Sequence, residues 1–276
     1  MVARLVVVTG GKAGPGATTL AVGLAGAWAA SGRRVLLVDL DPAGGDVAAH
    51  ISVGEIRGRG VAAVLAAGGG RVEPGGVAAE AVEVAVGLRV LIGLPRPDAA
   101  GLLRPEVGSA VVQAARQVSG VEVVLVDGGR LLPGSVAQAL LGLPGAVGVL
   151  AARADVPGAL AAQRALLVAA EVTTTPLALV AVGVRRRMSG DVAELAAALE
   201  HPVSGVVPAW RRQLGRAIQT GQLPTGGRLG RAYQTLAAAL WPREAWELSR
   251  RADGGRHGRG SRQRRVGRGK REAASA

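Results

Sequence analysis

The sequence predicts an α/β fold with a doubly wound, mostly parallel sheet that carries helices on both faces. Short runs of Val and Leu alternate along the chain with Ala-rich segments of helical spacing, and the runs are almost continuously apolar. Continuously apolar strands are typical of a sheet that is covered on both faces. Alternation of strand and helix implies right-handed crossovers between parallel strands.

The apolar runs and the spacing define the elements in order. Seven strands are predicted, at residues 5–8, 35–38, 88–92, 121–126, 146–150, 177–184 and 203–207. Helices are predicted at residues 18–30, 106–118, 157–171 and 191–199, and the last helices from residue 209 to about 248. Residues 54–87 are rich in Gly and show neither the periodicity of a helix nor that of a strand, so they are assigned to no element.

Composition excludes several classes of site. The 276 residues include no Cys, which excludes disulfides, thiolate catalysis, zinc–thiolate sites and iron–sulfur clusters. No apolar stretch has the roughly 18 uninterrupted residues that a membrane span needs. The first residues, "MVARLVVVTGG", are a poor signal peptide because the apolar run is short and leads into Gly-Gly-Lys. We therefore expect a cytoplasmic protein.

Charge is concentrated at the C-terminus. Of the net charge of +13, the segment from Arg250 to Ala276 carries +8, from ten Lys/Arg and two Asp/Glu. This segment has almost nothing to bury, so we expect a folded domain at residues 1–248 and a disordered, Arg/Gly-rich basic tail at residues 249–276. Between Arg250 and Arg271 the tail either binds nucleic acid or an anionic membrane surface, which would place the protein at the nucleoid or the inner membrane, or only keeps the chain soluble.

A Gly-rich loop follows the first predicted strand. Its sequence matches the phosphate-loop pattern G-x-x-x-x-G-K-[ST] at every fixed position except the lysine, where Ala17 stands. Glycines let backbone N–H groups converge on phosphate oxygens, and the helix predicted from Thr18 adds its positive dipole end. A tight strand–helix turn without a ligand is the alternative. The candidate cofactor-binding residues are Gly11, Lys12, Ala13, Gly14, Pro15, Gly16, Ala17, Thr18 and Thr19.

Lys12 is the only lysine of the predicted folded domain, since the other lysine of the chain is Lys270. Basic residues elsewhere are Arg, so a lysine retained inside the loop suggests that a compact ammonium group is needed there.

Two carboxylates form a candidate metal site with the loop. Asp39 and Asp127 both follow predicted strands, at the edge of the sheet from which the loop emerges. Open α/β sheets bind ligands at this edge, and two carboxylates beside the Thr18 hydroxyl suit a hydrated Mg²⁺. Each Asp taken alone is an ordinary residue at a strand end.

As a set, these segments resemble the ParA/MinD family of ATPases. "KAGPGATT" is similar to the family's deviant loop K-G-G-x-G-K-[ST]-[ST], and "DLDP" and "VEVVLVDGG" are similar to its two carboxylate segments. Residues 205–224 resemble its late strand and final helix, so that the likeness covers about residues 1–245. The resemblance implies binding of ATP and Mg²⁺ in a nucleotide-sandwich homodimer, where Lys12 reaches the partner's phosphates. It also implies that Asp41 orients the attacking water, and that Thr18, Asp39 and Asp127 serve the metal.

Several residues depart from the family pattern. Ala17 removes a charge-assisted contact worth about 1.5–3 kcal/mol, and Pro15 removes a backbone N–H. The adenine-side Asn has no counterpart at Val184-Arg185-Arg186. Loops with Ala at this position resemble the pilus-localisation and septum-site branch of the family.

The resemblance thus implies a protein of spatial organisation, serving chromosome or plasmid partitioning, division-site placement or pilus positioning. It would bind ATP-Mg weakly, with slow hydrolysis or none, and an unidentified protein partner is expected. Two alternatives stay open: a non-catalytic localisation scaffold that keeps the fold and the dimer surface, and a nucleic-acid binder that acts mainly through the tail.

Overall fold

The computed structural model describes residues 2–12, 14, 16–44, 46–51, 59–69, 71–94, 97–175, 177–185, 189–209, 211–220 and 222–241. The predicted tail, the last residues of the predicted C-terminal helices, Ala13 and Pro15 lie outside these ranges. The chain divides into two units. The unit Val2–Leu240 contains every element described below, and the other comprises Met1 and Trp241–Ala276.

The sheet has eight strands in the order β3-β4-β2-β5-β1-β6-β7-β8. All neighbouring pairs are parallel except β3 and β4, which are antiparallel. The predicted fold class is confirmed, and so are all seven predicted strands. The strands are β1 Arg4–Gly10, β2 Val35–Asp39, β3 Val82–Ala85, β4 Leu88–Leu91, β5 Val123–Arg130, β6 Ala146–Arg153, β7 Ala178–Val184 and β8 Val203–Pro208.

The helices of the described residues connect these strands. They are α1 Ala17–Ala30, α2 Val47–His50, α3 Val61–Ala67, α4 Pro74–Glu80, α5 Pro105–Arg116, α6 Val136–Leu141, α7 Val156–Ala170, α8 Ser189–Ala198, α9 Arg211–Thr220 and α10 Gly227–Leu240, with a 3-10 helix at Pro97–Leu102. None of the helices in the described ranges is both long and apolar enough to span a bilayer.

The region that the sequence left unassigned holds α3, α4 and the strand β3. β3 is only four residues long and lies at the edge of the sheet, where it forms a hairpin with β4. Gly87 closes the hairpin with φ of 78°. A short edge strand lacks the continuous apolar run of a central strand, so the apolar-run criterion missed it.

Helix α1 is fixed between the sheet and α10. The ring of the buried Tyr233 lies on Gly23 so closely that a Cβ there would be 2.3 Å from it. Trp28 donates its indole N–H to the carbonyl oxygen of Ala237 at 3.2 Å. Because most of α1 is buried, the start of this helix, and with it the end of the Gly-rich loop, has a well-defined position.

Candidate nucleotide site

The Gly-rich loop connects the end of β1 to the start of α1. Gly16 caps α1 in a left-handed conformation, with φ of 92° and ψ of 22°, and no side chain caps the helix. A Cβ at Gly11 would lie 2.2 Å from the carbonyl oxygen of Ala161 in α7, so the loop backbone lies directly on that helix. N–H groups of an uncapped first turn suit an anion.

Helix α1 begins at Ala17, one residue earlier than predicted. Ala17, the residue in the place of the phosphate-loop lysine, is 7% exposed, whereas Thr18 and Thr19 are half-buried. The two threonine side chains are therefore partly accessible, while the alanine side chain belongs to the core.

The structure brings Asp39 and Asp127 together at the predicted edge. They are register partners on β2 and β5, and both are fully buried. Asp39 accepts hydrogen bonds from the N–H groups of Asp41 and Val47, each at 3.2 Å. Asp127 Oδ1 accepts from the N–H of Gly129 at 3.3 Å, and Oδ2 has no hydrogen-bond partner among the described residues. A buried carboxylate oxygen without a donor is suited to a cation.

Burial makes both carboxyl groups weaker acids than an exposed aspartic acid. It raises the pKa of Asp39 to about 8, and the charge of Asp127 adds to this effect. It raises the pKa of Asp127 to about 6, although the neighbouring Thr18 hydroxyl and the N–H of Gly129 lower it in part. Two neighbouring buried carboxylates are stabilised in their charged form by a divalent cation.

The donor set fits Mg²⁺. No group of three His, Cys, Asp or Glu side chains is placed to hold a metal ion in the described part of the chain. Mg²⁺ does not require such a group, because proteins usually bind it through one or two carboxylates and leave several waters in place. The oxygen atoms of Thr18, Asp39 and Asp127 are donors of the type that such a site uses.

Two glycines leave room for the carboxylates. A Cβ at Gly93, two residues after β4, would lie 2.8 Å from the carboxyl carbon of Asp39. A Cβ at Gly129 would lie 2.5 Å from the carboxylate of Asp41. Neither glycine was predicted to have this role, since the only local signal in the sequence is a glycine just after an apolar strand.

Asp41 lies beside the metal-site carboxylates. Burial raises its pKa, which the N–H of Ala43, 2.9 Å from Oδ1, partly offsets. Its charge raises the pKa of Asp127, so the two carboxylates are close enough to interact. The structure thus groups Thr18, Asp39, Asp41 and Asp127.

Lys12 is placed near α7. The pKa of Asp155, the N-cap of α7, is lowered mainly by its hydrogen bond with Arg153 at 2.7 Å, and also by the charge of Lys12.

His50, which was not predicted from the sequence, also lies beside the candidate site. Its Nε2 lies 3.1 Å from Oγ1 of Thr19, and the ring is close enough to Asp127 to interact with it electrostatically. No spacing of histidines indicated this role, because the contact joins residues 31 positions apart.

A parallel sheet with a Gly-rich loop between its first strand and first helix, and carboxylates at the same edge, defines the class of P-loop α/β proteins. The chain belongs to the family described as CobQ/CobB/MinD/ParA nucleotide binding domain, which matches residues 6–224. The predicted relation to the ParA/MinD family is thereby confirmed. A comparison with curated proteins found no match.

Solved structures have the same fold. The cell division ATPase MinD of Pyrococcus furiosus has a TM-score of 0.72 and 18% identity, covering 86% of this chain and 98% of that chain. The septum site-determining protein MinD of Pyrococcus horikoshii, complexed with Mg-ADP, has a TM-score of 0.71 and 15% identity, and the match covers 89% of this chain and 98% of that chain. The MinC:MinD complex of Aquifex aeolicus has a TM-score of 0.71 and 18% identity, and the match covers 86% of this chain and 96% of that chain. At these identities the likeness concerns the fold.

Proposed function

We propose that this chain is a ParA/MinD-type protein of spatial organisation that binds ATP with Mg²⁺, weakly, as a homodimer, and hydrolyses it slowly or not at all. The observation that carries the proposal is the convergence of Thr18, Asp39 and Asp127 beside the uncapped start of α1. The family to which the chain belongs and the Mg-ADP complex of a MinD with the same fold support it.

Each residue has a defined task in this proposal. Backbone N–H groups of the loop and of the first turn of α1, with Thr19, bind the phosphates. Thr18, Asp39 and Asp127 hold Mg²⁺, which supplies positive charge to the phosphate oxygens. Lys12 supplies the ammonium group, from its own chain or from the partner protomer, and Asp41 orients the attacking water.

A calorimetric titration of the full chain with ATP and ADP, with and without Mg²⁺, tests the proposal. We expect Mg²⁺-dependent binding that Asp127→Asn weakens by about tenfold or more, which corresponds to loss of a charged contact. Glu194→Gln, an exposed carboxylate on α8, is the matched control. Absence of binding to the parent, or equal binding by Asp127→Asn, contradicts the proposal.

The burial of Ala17 favours a second candidate, a non-catalytic localisation scaffold. Such a scaffold keeps the dimer surface but has no phosphate-contacting lysine in its loop. Dimerisation measured by sedimentation without any nucleotide, together with absence of ATP binding, distinguishes it from the first proposal.

The charge of the tail supports a third proposal. Residues 249–276 would form a basic tail attached to a domain at residues 1–248. The net +8 from Arg250 onward would hold a cytoplasmic protein on the nucleoid or on an anionic membrane surface. A protein partner is also proposed, supported by the complex of a MinD with MinC.

A further inference from the structure

His50 contacts the helix that follows the phosphate loop. It ends α2, is half-buried, and lies with Nε2 3.1 Å from the hydroxyl oxygen of Thr19. Its other ring nitrogen, Nδ1, lies 2.8 Å from the backbone carbonyl oxygen of Asp46. The ring is therefore held at both nitrogens.

For a neutral imidazole, these two contacts determine the direction of both hydrogen bonds. A carbonyl oxygen can only accept, so Nδ1 carries the proton that is donated to Asp46. In the neutral imidazole the other nitrogen, Nε2, is then an acceptor. The hydroxyl group of Thr19 then donates its single proton to the neutral ring of His50.

A phosphate ligand needs that same proton. Thr19 lies in the first turn of α1, at the helix end that favours anions. Phosphate oxygens at a helix N-terminus accept hydrogen bonds, and a hydroxyl has one proton to donate. Thr19 can therefore donate to His50 or to a phosphate, but not to both.

We infer that His50 is a positioning residue that competes with the phosphate ligand for the hydroxyl proton of Thr19 and so weakens phosphate binding at the loop. This inference rests on the proposed nucleotide function. The absence of a lysine at position 17 is one reason for weak nucleotide binding, and the competition from His50 is a second, separate reason. Removal of His50 is then expected to strengthen binding, whereas removal of a purely structural residue would weaken it.

A set of variants of the full chain tests the competition, with Mg-ADP and inorganic pyrophosphate as probes. His50→Ala frees the Thr19 hydroxyl, so we expect binding about two- to tenfold tighter, the range for one hydrogen bond. His50→Asn retains a donor for the Asp46 carbonyl but is too short to reach Thr19, and it should behave like His50→Ala. His50→Gln carries an amide oxygen where Nε2 stands and should restore the parent affinity.

Thr19→Val completes a double-mutant cycle with His50→Ala. The valine has the shape of threonine without its hydroxyl, so we expect weaker binding than in the parent. In this background His50→Ala should have no further effect, because the contested proton is gone. An unchanged or weaker affinity of His50→Ala in the parent background overturns the inference.

The hydrogen-bond direction can be measured without any nucleotide. In ¹⁵N-histidine NMR of the free chain, the signal of His50 is identified as the one that is lost in His50→Gln. We expect this signal to show a proton on Nδ1. Addition of pyrophosphate should then shift the Nε2 resonance of His50. A proton on Nε2 in the free chain overturns the inference. If the parent and every variant fail to bind either probe, both this inference and the proposed function fail, whereas equal binding by parent and His50→Ala refutes this inference alone.

Discussion

Asp39 and Asp127 occupy the same register position on the adjacent strands β2 and β5, so two fully buried carboxyl groups lie side by side at one edge of the sheet. Their proximity gives the site its chemistry. Without a cation, each group disfavours the charged form of its neighbour and holds its own proton more tightly. In the proposed function both groups are ligands of Mg²⁺.

The first prediction concerns stability and pH without metal. The pKa values of about 8 for Asp39 and about 6 for Asp127 lie above the unfolded value of about 3.9. Between about pH 4 and pH 8 the native chain thus binds more protons than the unfolded chain, so its stability decreases as pH rises. The melting temperature in EDTA should be lower at pH 8.5 than at pH 5.5. Asp39→Asn should flatten this decrease and raise the melting temperature at pH 8.5, and Glu194→Gln should preserve it. Parallel profiles for the parent and Asp39→Asn would show that the pair does not titrate as described.

The second prediction concerns Lys12, the only lysine near the loop. Lys12→Ala should abolish nucleotide affinity and any ATP-dependent dimer, because no other ammonium group of the folded domain can replace it. Lys12→Arg keeps the charge and tests whether a compact ammonium group is required. Calorimetry and sedimentation measure the two effects. If Lys12→Ala binds ATP as well as the parent, the loop backbone alone binds the phosphates.

The third prediction concerns Ala17. Ala17→Lys should strengthen ATP binding by part of the roughly 1.5–3 kcal/mol of a charge-assisted contact, with an unchanged melting temperature. The parent residue is 7% exposed, so Ala17→Met, equally bulky but uncharged, controls for crowding. If Ala17→Lys does not bind ATP and melts several degrees lower, the lysine is buried without a partner. That result favours the non-catalytic scaffold.

The fourth prediction concerns Gly93. Gly93→Ala should displace the Asp39 carboxylate, because the new Cβ would lie 2.8 Å from its carboxyl carbon. We expect Mg²⁺-dependent nucleotide binding to fall by about tenfold or more, as for loss of a charged contact. Gly76→Ala in α4 is the matched control, since a Cβ there meets nothing within 4 Å. Equal affinities of the two variants would show that the Asp39 position is not critical.

The fifth prediction concerns the C-terminal segment. Deletion of residues 250–276 should remove most of the sequence-independent binding to DNA, RNA or anionic vesicles, and the parent's binding should weaken steeply with salt. The melting temperature of the remaining chain should change little. If the truncated chain keeps its full affinity, arginines of the folded domain make the contact, and Arg216→Gln tests one of them.

The sequence by itself determined which segments form the central strands and the loop between β1 and α1. Continuous Val/Leu runs specify buried parallel strands, and a glycine spacing specifies a loop between β1 and α1, because both signals depend on local sterics and on burial. The strand-end positions of Asp39 and Asp127 placed both carboxylates at the correct edge. All of this could be predicted since each signal lies within a few residues.

Only the tertiary structure decided which side chains meet. The register of β2 on β5 makes Asp39 and Asp127 direct neighbours, and the course of the chain after β4 brings Gly93 against Asp39. His50 reaches Thr19 across 31 positions, so no periodicity predicts the contact. Such pairs depend on how elements pack, and packing is a property of the whole core. For this reason the positions of the two carboxylates in the sheet were predictable, whereas the histidine and glycines around them were not.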